Sequence, residues 1–148
     1  MQNEALIGLK LENQVCFPLY ACSKEIIRRY KPHLDKLDLT YTQYIAMLVL
    51  WEKKSLNVKT LGDALLLDSG TLTPLLKKLE AKGYLTRKRS FEDERTLIVT
   101  LTEKGEQLKE QAAGIPAKVS KNIGFSADEG EELYRLLNKL LVCLEEKE

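Results

Sequence analysis

From Leu72 the apolar residues Leu72, Leu75, Leu76 and Leu79 recur at i, i+3, i+4 and i+7, the spacing of one helix face. Gly70, Thr73, Pro74 and Lys77 point away from that face, with Thr71 and Lys78 at its edge. Asp68 or Ser69 supplies the N-cap. Pro74 lies too deep for the first turn, which predicts an irregular start or a kink. Lys82–Gly83 closes the helix with a cation and a left-handed glycine. The apolar period then shortens to two. Leu85–Arg89 reads as a strand, Ser90–Arg95 as a turn, and Thr96–Leu101 as the returning strand with Leu97, Val99 and Leu101 inward. Just upstream, Asn57 caps a short helix over Val58–Leu66, and Leu67–Gly70 turns into the next. Two helices across a tight turn followed by a hairpin make a winged helix-turn-helix.

The flanks are helical. Leu11, Val15, Leu19, Cys22, Ile26 and Tyr30 form a stripe along a predicted helix over Leu9–Lys31. Pro18 is expected to bend it and leave the Gln14 carbonyl without an amide partner, and Pro32 to end or kink it. Leu34–Leu39 is a short connection of about one turn. Thr40 and Gln43 make a capping box, with Leu39 and Tyr44 as the hydrophobic staple. Ile45–Trp51 is apolar all round, so that helix should be central. Thr102 caps a helix over Glu103–Ala113, Gly114–Ile115–Pro116 interrupts it, and a second piece runs to Asn122. Ser126 and Glu129 open the last helix, where Leu133, Leu136, Leu137, Leu140, Leu141 and Leu144 form a broad stripe. The expected fold is mainly α with a small β-hairpin. Residues 1–45 form an N-terminal helical region, 46–102 the winged unit and 103–148 the C-terminal helices, in one compact domain overall. The surplus apolar surface at both ends points to pairing in a twofold homodimer. A monomer whose terminal helices cover the winged unit stays open.

Composition changes this picture only locally. The net charge of the 148 residues is +1, yet Lys77–Arg89 carries six bases and one acid, Glu80. Ser126–Glu148 carries seven acids against three bases. Small hydroxyl residues and lysines on a helix suit a major groove, so double-stranded DNA is the expected partner. No apolar run is long enough for a transmembrane helix, and Met1–Lys10 lacks a signal-peptide layout, which predicts a cytoplasmic protein with no membrane role. Three cysteines and the single His33 show no zinc spacing, no metal or cofactor motif and no catalytic constellation, so an enzyme is not expected.

The segments Asp68-Ser-Gly-Thr-Leu-Thr73, Leu79-Glu-Ala-Lys-Gly83, Asp93-Glu-Arg95 and Leu101-Thr-Glu-Lys-Gly105 resemble those of MarR-type transcriptional regulators. Leu11-Glu-Asn-Gln-Val-Cys-Phe-Pro-Leu-Tyr20 and Leu39-Thr-Tyr-Thr-Gln-Tyr44 are similar to the organic-hydroperoxide-sensing OhrR branch. The resemblance implies a dimer on a palindromic operator. Ser69, Thr71, Thr73 and Lys77 would meet bases and phosphates, with Lys78 and Arg89 beside them. Asp93 would brace Arg95, which probes the minor groove. Cys16 matches the peroxide-sensing position, and Tyr30 and Tyr41 match residues that hydrogen-bond the sulfur across the dimer interface; Tyr20 is a further donor. Organic hydroperoxide would oxidise Cys16 to a sulfenic acid, which a low-molecular-weight thiol then caps. Cys22 and Cys143 read as packing residues, and a Cys16–Cys143 bridge between chains stays open. Three other readings also stay open: release by a small aromatic ligand, a thiol peroxidase using Cys16, and a helical interaction module that never touches DNA.

Overall fold

A computed structural model describes residues 6–145. They form two compact units divided between Ile115 and Pro116, where length pointed to one compact domain. The first unit contains α1 (Cys16–Leu34), α2 (Tyr41–Lys53), β1 (Ser55–Asn57), α3 (Val58–Leu65), α4 (Ser69–Ala81), β2 (Leu85–Arg89), β3 (Leu97–Leu101) and α5 (Glu103–Ala112). A helix α6 (Ile115–Ser120) begins at the division, and α7 (Ala127–Glu145) lies in the second unit.

Helix α2 forms the centre of the first unit. Its N-terminus carries both halves of the capping box: Gln43 N–H donates to Thr40 Oγ1 at 3.2 Å, and Thr40 N–H to Gln43 Oε1 at 3.1 Å. Ala46, Met47, Leu50 and Trp51 are buried. Around them pack Leu61 of α3, Leu72, Leu76 and Leu79 of α4, Leu85 and Val99 of the sheet, and Leu108 of α5, all buried. Trp51 Nε1–H donates to the Gly105 carbonyl at 2.8 Å, which ties α2 to the start of α5. Helix α5, expected among the C-terminal pairing helices, therefore belongs with the winged unit.

The hairpin becomes a three-stranded antiparallel sheet in the order β1-β3-β2. Arg89 pairs with Leu97 at the far end, and Ser55 with Thr100 on the other edge. Three residues are too few for a period of two to be recognised. Turns follow the expected chemistry. Gly83 takes φ +79°, with Gly83 N–H donating to Glu80 O at 2.9 Å and Tyr84 N–H to Leu79 O at 3.1 Å. The same arrangement ends α3, but there Leu66 occupies the left-handed position at φ +53°.

Two expectations about proline are corrected, the lost partner at Pro18 and the helix end at Pro32. Helix α1 starts at Cys16, not Leu9, after a short 3-10 turn over Leu11–Asn13. Pro18 thus lies in the first turn, where no intrahelical amide bond is lost, and the Gln14 carbonyl accepts from Phe17 N–H at 3.2 Å. Pro32 neither ends nor interrupts α1, which continues to Leu34. Pro74 lies inside α4, which runs without interruption from Ser69. Each of these two prolines lacks the N–H that would reach the carbonyl four residues back, of Arg28 and of Gly70, and both of those residues are exposed.

In the second unit Ser126 N–H donates to Glu129 Oε2 at 2.8 Å and Glu129 N–H to Ser126 Oγ at 3.2 Å, the expected cap of α7. No residue of α7 is buried, and Leu133, Leu136, Leu140, Leu141 and Leu144 are all exposed. Among the described residues no helix is long and apolar enough to cross a membrane.

Candidate nucleic-acid interface and cysteine site

Asp68 caps α4, its Oδ1 accepting Thr71 N–H at 2.8 Å. The stripe of leucines is buried, so rotation about the helix axis is set and the other face must look outward. Ser69, Thr71, Lys77 and Lys78 are exposed and Thr73 is half-buried. Ser69, Thr73 and Lys77 stand at i, i+4 and i+8, a line of about 12 Å along the helix.

The wing tip is braced from within. Asp93 Oδ1 accepts Arg95 N–H at 3.0 Å, and Oδ2 accepts the Thr96 hydroxyl at 3.3 Å. Asp93 therefore fixes the backbone beneath Arg95 while the Arg95 side chain is exposed. Arg89 Nη1 donates to the Glu94 carbonyl at 2.8 Å, so this cation also shapes the tip.

The basic run Lys77–Arg89 contributes less surface charge than its composition indicates. The Arg87 side chain is only 17% exposed and pairs with Glu80, with Nη2 to Oε1 at 3.0 Å. Arg87 N–H also donates to Glu80 Oε2 at 2.9 Å. This pair joins the end of α4 to β2. Hydrogen bonds from Arg87 hold the Glu80 carboxyl below the usual carboxylate range. Lys82 is held by the Asp38 carbonyl, by Asp38 Oδ2 at 3.2 Å and by Gln43 Oε1 at 3.4 Å. Lys77, Lys78, Lys88 and Arg89 remain exposed. Glu80 was visible in the sequence as the one acid among six bases, but nothing in the pattern paired it with Arg87.

Cys16 is the first residue of α1 and is exposed. The helical period through Leu11 and Val15 predicts Cys16 inside a longer helix, whereas the structure starts the helix at this residue. Tyr20, one turn on, is exposed, with Lys24 Nζ 5.4 Å from its ring centre. Tyr30 lies fourteen residues from Cys16 on the same helix, a rise of about 21 Å. Within one chain the sulfur therefore meets neither Tyr30 nor Tyr41. Those two rings are brought together instead, edge to face at 5.2 Å between centres, with Tyr44 at 5.6 Å from Tyr30. Tyr44 in turn lies 6.4 Å from Trp51. Burial, and then the neighbouring Tyr41, push the Tyr30 phenol up from its ordinary value, so its O–H is kept as a donor. Cys22 and Cys143 are exposed too, so neither packs within this chain as expected. Cys22 shares α1 with Cys16 at a rise of about 9 Å, too far for a bridge without unwinding. Among the described residues no group of histidine, cysteine and carboxylate side chains is placed to hold a metal ion.

A helix-turn-helix with an exposed hydroxyl-and-lysine face and a braced wing defines a winged-helix transcriptional regulator. Residues 28–112 match the family of SarA/Rot transcriptional regulators, to which this chain belongs. Over 137 residues it is 53% identical to the organic hydroperoxide resistance transcriptional regulator of Bacillus subtilis (strain 168), covering 93% of this chain and 91% of the relative. That places it on the organic-hydroperoxide branch of the MarR-type regulators its motifs resemble. The fold is also that of AbfR of Staphylococcus epidermidis. Against reduced AbfR bound to DNA the TM-score is 0.80 at 34% identity, over 99% of this chain and 98% of that one. Against disulfide-formed AbfR it is 0.64 at 34% identity, over 99% and 100%.

Proposed function

We propose that this chain is a cytoplasmic, homodimeric redox-sensing repressor that binds palindromic operator DNA and is released when organic hydroperoxide oxidises Cys16. The observation that carries the reading is the exposed Cys16 at the N-terminus of α1, in a chain that also presents Ser69, Thr71 and Lys77 on α4. The exposed apolar faces of α1 and α7 call for a second copy. In a twofold dimer the two α4 helices would enter major grooves about 34 Å apart. Thr73, Lys78 and Arg89 would add contacts, and Arg95, with Asp93 beneath it, would enter the minor groove.

Tyr30 and Tyr41 lie too far along their own chain to reach Cys16, which is consistent with donation from the partner. Tyr20 would be a further donor. Thiolate Sγ attacks the outer peroxide oxygen, the O–O bond breaks, and the alkoxide takes a proton and leaves as the alcohol. The sulfenic acid then condenses with a low-molecular-weight thiol, losing water and giving a mixed disulfide. The added bulk separates the tyrosines from the sulfur and shifts the two wings relative to each other. The protein acts once per oxidation, as a switch and not as an enzyme.

The test is Cys16→Ser. The variant should bind the DNA upstream of its own gene as tightly as the parent and stay bound when cumene hydroperoxide is added. A variant still released by hydroperoxide removes Cys16 from the mechanism. Multiple turnover of hydroperoxide with a reductant would favour the peroxidase instead. Release by a small aromatic ligand is the second reading, and one feature favours it. A cleft of about 390 Å³ between α1 and α2 sets Ile27, Leu34 and Tyr41 beside Lys24, Arg28 and Lys31.

A further inference from the structure

The wing tip carries an aromatic side chain with no role in the fold. Phe91 is 108% exposed, its side chain lying entirely in solvent. The loop that holds it is tightly bonded. Ser90 N–H donates to Thr96 O at 2.8 Å, Thr96 N–H to Asp93 O at 2.9 Å, and Glu92 N–H to Ser90 Oγ at 3.2 Å. With the Asp93 and Arg89 bonds described above, the tip cannot fold back over the ring without breaking several of them. Phe91 and Arg95 sit next to the Ser90–Thr96 closure, one on each limb of the loop. A bonded hairpin thus carries an exposed apolar ring on one limb and an exposed arginine on the other.

The electrostatics of the tip sharpen the point. Between Lys88 and Arg95 the chain carries three bases, Lys88, Arg89 and Arg95, against three acids, Glu92, Asp93 and Glu94. A neutral tip gains little from phosphate attraction alone, so its contribution to binding needs another source. Apolar side chains next to minor-groove arginines supply one by entering between base pairs.

The geometry points to Phe91 as a wedge: when the wing reaches the minor groove, the ring enters a base step beside Arg95 and partly unstacks it. This rests on the DNA-binding reading above and adds a specificity determinant to it. Pyrimidine–purine steps open most easily, so the operator should prefer TA or CA/TG under each wing tip.

The test uses full-length reduced protein and a duplex selected by that protein from a random pool. Substituting 2-aminopurine at the step under the wing should give a rise in its fluorescence on binding. Phe91→Ala should abolish that rise and weaken binding roughly ten- to a hundredfold, as loss of a buried phenylalanine does. Its salt slope should be unchanged, because no phosphate contact is lost. Phe91→Leu should recover most of the affinity. Replacing the flexible step by a G·C-only step should penalise the parent protein more than the alanine variant.

Parent-like affinity of Phe91→Ala, or weaker binding with the 2-aminopurine signal intact or absent in the parent too, overturns the wedge. Failure of the parent protein to select any duplex instead overturns the DNA reading itself. The melting temperature of Phe91→Ala should equal the parent's, and a lowered one would assign the ring to the fold.

Discussion

Gly105→Ala tests how the wing is seated on the core. A glycine-to-alanine change inside a helix normally stabilises by about 0.8–1 kcal/mol. At Gly105 the added Cβ would stand 2.2 Å from the Tyr84 carbonyl oxygen, 2.6 Å from Leu101 Cδ1 and 3.1 Å from the Tyr84 carbonyl carbon. Two of these are backbone atoms at the entry to β2, and the same carbonyl accepts Thr102 N–H at 3.1 Å. Relief therefore requires α5 to move off the sheet, at an overpacking cost near the upper end of about 1–3 kcal/mol. Movement also threatens the buried bond from Trp51 Nε1 to Gly105 O, whose loss costs about 1–3 kcal/mol. Setting these against the propensity gain leaves a net loss of about 3–5 kcal/mol. The assay is urea unfolding followed by Trp51, the single tryptophan, whose indole is bonded to the mutated residue's carbonyl. Gly130→Ala is the control: in α7 its Cβ would meet nothing within 4 Å, so it should gain about 0.5–1 kcal/mol. A Gly105→Ala protein as stable as the parent, or more so, refutes the packing argument.

Other expectations are smaller in scale. Arg87 holds the Glu80 carboxyl below its ordinary range. The attachment of β2 to α4 should then be complete above the ordinary carboxylate value of about 4.3 and be lost as pH falls through the lower folded value. Hydrogen exchange at Arg87 N–H should follow that acid limb, and Glu80→Gln should remove it. Leu66 is 57% exposed with φ +53°, so Leu66→Gly removes strain at little cost in burial. It should raise stability by roughly 1 kcal/mol, read as a shift in the urea midpoint; a fall would show that the side chain matters to packing.

The caps show how much is local. Thr40 with Gln43, Asn57, Asp68, Thr102 and Ser126 with Glu129 all cap the helices their spacing predicted, because each bond spans three residues of one segment. The leucine stripe of α4 was legible for the same reason, and with it the outward face of Ser69, Thr71 and Lys77. The start of α1 was not, since the stripe through Leu11 and Val15 continues the helical period past the point where the helix begins.

What residues near one another in the chain can settle, the sequence settled: helix caps, the left-handed Gly83, the hairpin and the family-type motifs around Cys16. Contacts between distant segments were decided only in three dimensions. The pairing of β1 with β3, the tie from Trp51 to Gly105, the capture of Lys82 by Asp38 and the Tyr30–Tyr41–Tyr44 cluster are of this kind. Short-range periodicity reports the face a side chain takes on its own element, whereas its partner there depends on how separate elements pack.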